Sequence, residues 1–150
     1  MHPILIADDS HADAVLLERL LRRSHVMNPI RMVTDGEAVI AYLNGKGAYG
    51  NRDRYPLPSI LFLDLKMPRC SGFEVLEYLY THTEFQAVLT IVLSKLDDLQ
   101  EINRAYQLGA RSYLIKPATA EELTNLIGFF QGYWDTPETV VGHSEAVPAA

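Results

Sequence analysis

Short apolar runs at wide spacing constrain the fold of this chain more than any other feature of its sequence. Four runs are clear and cover residues 4–7, 60–63, 89–93 and 113–115. A fifth run at residues 30–33 is weaker. The clear runs lack the polar alternation of a strand with one face in water. They therefore predict β-strands that are buried on both faces.

Helical patterns with capping residues fill the intervals between these runs. The predicted N-caps include Ser10, Ser71, Asp97 and Thr119. Ser71 and Thr119 are each followed three residues later by a glutamate, which is the spacing of a capping box. After Asp97, the pattern turns one apolar stripe inward, formed by Leu99, Ile102 and Tyr106. The inward stripe of the last helix is formed by Leu123, Leu126, Ile127 and Phe130.

Strand and helix thus alternate five times along the chain. Each interval is long enough for a helical crossover and too long for a hairpin. The predicted fold is therefore α/β, a doubly wound five-stranded parallel sheet with five helices. In such a flavodoxin-like sheet, ligands bind beyond the carboxyl ends of the strands. Residues 44–59 fall outside the repeat and are predicted to form a long surface loop.

Composition excludes several classes of partner. There are 13 Lys and Arg residues against 19 Asp and Glu, a net charge of -6, and no basic cluster suits nucleic acid or an acidic membrane. No apolar run approaches the length of a membrane helix, and the start of the chain does not resemble a secretion signal. With one cysteine, Cys70, no internal disulfide can form. We expect a cytoplasmic protein.

Residues of complementary chemistry follow four of the predicted strands. They are Asp8 and Asp9, Asp64, Ser94 and Lys116. Parallel strands bring all five side chains to the same rim of the sheet. Three converging carboxylates repel one another unless a cation lies among them, and carboxylate oxygens are ligands that Mg²⁺ prefers. The sequence therefore predicts a hard divalent metal at this rim, with Lys116 and Ser94 suited to gripping an anion.

These motifs resemble the receiver domains of two-component response regulators. The matching positions are Asp8, Asp9, Asp64, Ser94, Tyr113, Lys116 and Pro117. Within that family the chain is most similar to the small phytochrome-associated response regulators, through Asp35-Gly36 and the long loop before the third strand. The resemblance implies a receiver domain over residues 1–134, followed by a loosely ordered tail over residues 135–150.

The resemblance also implies a role for each residue of the rim. Asp64 would accept a phosphoryl group from a histidine kinase, in this subfamily a phytochrome-type photoreceptor kinase. Mg²⁺, with Mn²⁺ as an alternative, would be held by Asp9, Asp64 and the backbone carbonyl of Lys66, and by Asp8 mainly through a metal-bound water. Lys116 would stabilise the transferred group. The Lys116-Pro117 peptide would be cis.

The signal is expected to leave the site through Ser94 and Tyr113, whose rearrangement remodels the outer face of the domain. Without room for an output domain, output is expected through contact with another protein. Three aromatic residues lie outside the inward stripe of the last helix, Phe129, Tyr133 and Trp134. They predict a symmetric dimer contact, although cover by the tail is an equally good explanation.

Three other functions compete with this interpretation. The chain could be a phosphorelay intermediate that passes the phosphoryl group onward. A haloacid-dehalogenase-type phosphohydrolase would need a second aspartate two residues after the nucleophile, where Lys66 stands. A flavodoxin-like binding module would need a phosphate-cradling loop after the first strand, where Asp8 and Asp9 would repel a cofactor phosphate.

Overall fold

Strands and helices alternate through residues 2–137, the part of the chain that the computed structural model describes. In chain order they are β1 (Ile4–Ala7), α1 (His11–Arg23), β2 (Ile30–Val33), α2 (Gly36–Asn44), β3 (Ile60–Leu63), α3 (Gly72–Thr81), β4 (Leu89–Ser94), α4 (Leu99–Gln107), β5 (Ser112–Ile115) and α5 (Ala120–Phe129). Short 3-10 turns cover Gly47–Tyr49 and Thr83–Phe85. The α/β alternation predicted from the sequence is confirmed. None of these helices is long and apolar enough to cross a bilayer.

The five strands form one parallel sheet in the order β2-β1-β3-β4-β5. The winding direction reverses between β1 and β3, which is where ligands bind in doubly wound sheets. Ala7 at the end of β1 pairs with Leu63 at the end of β3. The backbone nitrogen of Asp64 then donates to the carbonyl of Ala7, at 2.9 Å. Register therefore places Asp8 and Asp64 beside each other at the switch point.

The core has one apolar layer on each face of the sheet, because successive strand residues point to opposite sides. The layer under α1 and α5 includes Ile6, Leu17, Phe62, Leu123 and Leu126. The layer under α2, α3 and α4 includes Leu5, Val39, Leu61, Val75 and Ala105. Strands β1, β3 and β4 are buried along their whole length, as predicted.

The prediction that strands are buried on both faces is wrong for β5, and β2 is also only partly buried. Three residues of β2 are partly exposed, and Ile115 of β5 is 44% exposed. Both strands lie at the edges of the sheet and pair with one neighbour each. The helices that cover the sheet centre reach less far over its edges, so an apolar run there keeps partial contact with water.

The fourth helix differs from its prediction in its cap and in its inward face. Asp98, and not Asp97, is the N-cap, and its side chain accepts from the backbone nitrogen of Glu101 at 2.8 Å. Leu99 and Tyr106, expected inside, are 75% and 45% exposed. Ala105 is the fully buried residue of this helix. A small side chain at that position lets α4 lie against the sheet on a narrow face.

The chain turns back on the domain after α5. Trp134 is 2% exposed and lies 6.1 Å from the ring of Phe62, measured between centroids. Asp135 is held next to it, because its backbone nitrogen donates to Asn28 Oδ1 and its carbonyl accepts from Met27. These hydrogen bonds tie Asp135, the first residue of the predicted tail, to the domain. The remainder of the predicted tail, from residue 138 onward, lies outside the described residues.

The segment between α2 and β3 packs against the domain through three tyrosine rings. Tyr49 and Tyr55 lie 5.0 Å and 6.0 Å from Tyr42, measured between ring centroids. Arg52 donates to the carbonyls of Tyr42 and Leu43 at the end of α2. These contacts add hydrogen bonds to carbonyls in the last turn of the helix. The predicted surface loop therefore packs against the end of α2.

Candidate functional site

Three carboxylates converge where β1 and β3 end. Oxygen atoms of Asp8, Asp9 and Asp64 lie within 4.8 Å of one another. Asp8 and Asp64 are buried and Asp9 is exposed. An all-oxygen donor set with one side open to water is the kind of site that hard divalent cations occupy. These residues fit the predicted divalent metal, which would offset the repulsion among their charges.

The ammonium group of Lys116 lies against this cluster. Lys116 follows β5, and its Nζ is 2.7 Å from Asp8 Oδ2 and 3.0 Å from Asp64 Oδ2. Its side chain is 7% exposed. Burial opposes the charge of Lys116, but the ion pairs outweigh burial and raise its pKa. The structure thus places a fixed positive charge beside the carboxylate of Asp64. The Lys116-Pro117 peptide is cis.

A third carboxylate on Lys116 comes from a residue that the sequence analysis missed. Asp13 Oδ2 lies 3.0 Å from Lys116 Nζ. Asp13 belongs to the first turn of α1, where the Ser10 cap fixes the helix start. The hydrogen bond from Lys116 lowers the pKa of Asp13. The sequence signal for Asp13 was its spacing from the Ser10 cap. A helix that begins at Ser10 brings its first turn back over the end of β1.

The pKa of the Asp8 carboxyl group is raised above its usual value. Its burial raises the pKa, and this outweighs the lowering by Lys116 and by the backbone nitrogen of Ser10, which donates to Asp8 Oδ1 at 2.9 Å. Proximity to Asp64 raises the pKa further. Burial therefore disfavours the charged form of Asp8, and a cation beside it would stabilise that form.

The loop between β3 and α3 is held close to the site by two hydrogen bonds from backbone nitrogens and by the close approach of Gly72. The backbone nitrogen of Lys66 donates to Asp64 Oδ1 at 3.3 Å, and Gly72 donates to the carbonyl of Leu65 at 3.0 Å. A Cβ at Gly72 would overlap the backbone of Asp64 and Leu65. Gly72 is therefore required for the loop to turn back over the end of β3, where the Lys66 carbonyl is expected to act.

Ser94 and Tyr113 are connected through one residue. Ser94, at the end of β4, is 1% exposed, and its Oγ accepts from the backbone nitrogen of Leu96 at 3.3 Å. The hydroxyl of Tyr113 donates to the carbonyl of Leu96 at 2.7 Å. Burial raises the pKa of Tyr113. The short segment after β4 thus contacts both predicted switch residues.

The three predicted interface residues do not share one environment. Phe129 is 81% exposed, whereas Tyr133 is half-buried against the core and Trp134 is buried. The burial of Trp134 does not fit its predicted place in an interface, because the turn after α5 directs its ring onto Phe62. Of the three, Phe129 is the residue that offers a large apolar surface to a partner.

An apolar cleft opens beside Lys116. It has a volume of about 230 Å³, and its walls include Leu16, Leu20, Leu93 and Pro117, with Lys95 and Asp13 contributing charge. The cleft connects the outer face of α1 with the rim of the sheet. The cleft therefore brings an apolar surface up to Lys116.

Comparisons with known proteins agree with this geometry. Residues 4–128 match the response regulator receiver domain family. Response regulator Rcp1 of Synechocystis sp. is 28% identical over 131 residues, which are 87% of this chain and 87% of Rcp1. The crystal structure of response regulator RPA3017, in red light signalling of R. palustris, superposes with a TM-score of 0.80 at 30% identity and covers 91% of this chain and 99% of that one.

Two further solved structures show related states. The Mn²⁺-bound form of Rcp1 superposes with a TM-score of 0.77 at 25% identity. The phosphorylated cyanobacterial phytochrome response regulator RcpA does so with 0.76 at 27% identity. Each covers 91% of this chain, which in turn covers 99% of each. The chain is a member of the response regulator receiver domain family of two-component systems, related within it to phytochrome response regulators.

Proposed function

We propose that this protein accepts a phosphoryl group from a histidine kinase on Asp64 and signals by a phosphorylation-dependent contact with another protein. The observation that carries the proposal is the position of Asp64. Its buried carboxylate belongs to the acidic cluster, and its Oδ2 lies 3.0 Å from the ammonium nitrogen of Lys116. A nucleophile in that place has a positive charge ready for the incoming phosphoryl oxygens.

The proposed reaction is a phosphoryl transfer. A carboxylate oxygen of Asp64 forms a bond to phosphorus while the bond from phosphorus to the kinase imidazole breaks, and the imidazole keeps that electron pair. The product is a mixed anhydride on Asp64. Because the nucleophile is already an anion, no general base is needed, and positioning and charge stabilisation suffice. Lys116 holds a transferred oxygen.

We infer that a divalent cation completes the site, held by Asp8, Asp9, Asp64 and the backbone carbonyl of Lys66. When bound, it supplies positive charge to the phosphoryl oxygens. Mg²⁺ is the proposed ion, with Mn²⁺ as an alternative that the Mn²⁺-bound form of Rcp1 supports. The three-carboxylate cluster supports a cation at this position.

A phytochrome-type kinase is the proposed phosphoryl donor. The support is similarity, since RPA3017 acts in red light signalling and RcpA is a phytochrome response regulator. The apolar cleft beside Lys116 provides a surface on which a kinase helix could rest.

The net charge of -6 argues against nucleic acid as a partner, and the single cysteine agrees with a cytoplasmic location.

We infer that output depends on Ser94 and Tyr113. A phosphoryl oxygen on Asp64 would draw the Ser94 hydroxyl toward it and loosen the Leu96 segment that Tyr113 holds. The surface in reach of that change carries exposed apolar residues, including Leu99, Tyr106 and Ile115. We propose that this surface, with Phe129 on α5, forms the phosphorylation-dependent contact, and that a second copy of the chain is one partner.

The experiment that tests this function distinguishes a phosphoryl acceptor from a phosphohydrolase. The protein is incubated with Mg²⁺ and phosphoramidate, whose P–N bond resembles that of phosphohistidine, and separately with p-nitrophenyl phosphate. The proposal predicts one bound phosphoryl group per chain and no sustained release of nitrophenol. Rapid multiple turnover of p-nitrophenyl phosphate would instead identify a phosphohydrolase.

A further inference from the structure

Lys116 has a third anion partner outside the acidic cluster. Asp13 reaches Lys116 Nζ from α1 at 3.0 Å, a distance equal to that between Lys116 Nζ and Asp64 Oδ2. The Asp13 side chain is 31% exposed, whereas Lys116 and Asp8 are nearly inaccessible. Asp13 thus extends the ion pairs of the buried Lys116 ammonium to the solvent-exposed side of α1.

The three partners of Lys116 differ in what else they bind. Asp8 and Asp64 belong to the oxygen cluster that fits a divalent cation, and Asp13 does not. A cation in the cluster and the ammonium of Lys116 therefore compete for the oxygens of Asp8 and Asp64. They do not compete for Asp13. When the cluster is occupied by metal, Asp13 is the carboxylate that remains available to Lys116.

The position of Asp13 is fixed by the start of α1. Its backbone nitrogen donates to the Ser10 side chain at 3.3 Å, so Asp13 occupies the third residue after the N-cap. That turn is further joined to the cluster, because the Ser10 nitrogen donates to Asp8 Oδ1. Asp13 is therefore held at a set distance from the site by the same residues that form its rim.

We propose that Asp13 is a positioning residue for Lys116. It holds the ammonium at the edge of the acidic cluster, reduces the competition between Lys116 and the divalent cation, and so strengthens metal binding. This inference rests on the proposed metal site. In it, Asp13 neither binds the metal nor contacts the phosphoryl group.

The test is a titration of the 150-residue chain with Mn²⁺ alone, in which free Mn²⁺ is measured by electron paramagnetic resonance. We expect Asp13→Asn to weaken Mn²⁺ affinity by about fivefold, the size of a strong partly exposed ion pair. Asp13→Glu keeps the charge and should retain most of the affinity. Glu121→Gln, which removes an exposed acid from the first turn of α5, is the matched charge control and should bind as wild type does.

A double-mutant cycle separates positioning from a general effect of negative charge. In a Lys116→Met background the competing ammonium is gone, so Asp13→Asn should cause no further change in Mn²⁺ affinity. An equal loss in both backgrounds would overturn the inference, because Asp13 would then act only through its field. Unchanged affinity of Asp13→Asn would also overturn it. Failure of wild type to bind Mn²⁺ would instead contradict the proposed metal site itself.

Discussion

The carbonyl oxygen of Cys70 accepts a hydrogen bond of 3.1 Å from the backbone nitrogen of Gly36. This contact joins the loop after β3 to the first residue of α2. A Cβ at position 36 would overlap that oxygen. We expect Gly36→Ala to lower the free energy of unfolding by about 1–3 kcal/mol, the usual cost of overpacking. Urea unfolding followed by circular dichroism measures the loss.

Gly128 provides the matched control for this substitution. It lies within α5, and a Cβ there meets no atom within 4 Å. Gly128→Ala should therefore stabilise the protein by about 0.5–1 kcal/mol, through the helix propensity of alanine. If both variants changed stability in the same direction, the close approach of Gly36 and Cys70 would not be the reason for the loss.

The pH dependence of stability should report on Asp35, the N-cap of α2. The backbone nitrogen of Ala38 donates to Asp35 at 2.7 Å and Arg69 pairs with it at 2.8 Å, and these bonds lower its pKa. A carboxylate with a lowered folded pKa stabilises the fold above the pKa of the unfolded state, about 4. The stabilisation is lost as the pH falls through the lower, folded value.

Asp35→Asn keeps a capping oxygen and removes the charge. The difference in unfolding free energy between wild type and this variant should be about 1 kcal/mol at neutral pH and shrink toward zero in acid. Asp35→Ala removes the cap as well, so its deficit should persist at every pH. A pH-independent difference for Asp35→Asn would show that the charge contributes nothing. Denaturant titrations at a series of pH values measure both curves.

Ser94 and Tyr113 should couple phosphorylation to α4, because both bond to Leu96 just before that helix. Ser94→Ala is expected to accept the phosphoryl group and to lose the change in amide hydrogen exchange across α4 that wild type shows on phosphorylation. Thr124→Ala removes an exposed hydroxyl from α5 and is the control. A normal exchange response in Ser94→Ala would mean that the signal leaves the site by another route.

Association of two copies should depend on Phe129. We expect wild type to show concentration-dependent dimerisation by sedimentation, altered by phosphorylation, and Phe129→Asp to shift it toward monomer. Tyr80, 63% exposed on α3, is outside the proposed contact, so Tyr80→Asp should behave as wild type does. A protein that stays monomeric at all concentrations, with and without phosphorylation, would contradict the dimer.

The strands and the rim residues were within reach of the sequence, since apolar runs mark the strands and the ends of parallel strands share one edge of the sheet. Asp8, Asp9, Asp64 and Lys116 needed no side-chain detail to be placed together. Asp13 was missed because it lies on a helix, where its direction depends on how α1 leaves the rim. A single acidic residue in a first helical turn also has an ordinary explanation in the helix dipole.

Other failures have the same kind of cause. The periodicity of α4 indicates which residues share a face of the helix. It does not indicate which face meets the sheet, and in the structure this is the face with the small Ala105 rather than the face with Leu99. Trp134 follows a helix end, so its pattern could not show that the chain folds back onto Phe62. In each case the deciding fact is packing between elements distant in the chain.

The intact mass of the protein after incubation with phosphoramidate and Mg²⁺ tests the central claim most directly. We predict the addition of one phosphoryl group to wild type. We predict no addition when the metal is chelated before the reaction, and no addition to Asp64→Asn. Asp53→Asn changes an exposed loop aspartate in the same way and should be phosphorylated as wild type is. Persistence of the added mass in Asp64→Asn, or its location on a serine, would contradict the assignment of Asp64 as the phosphoryl acceptor.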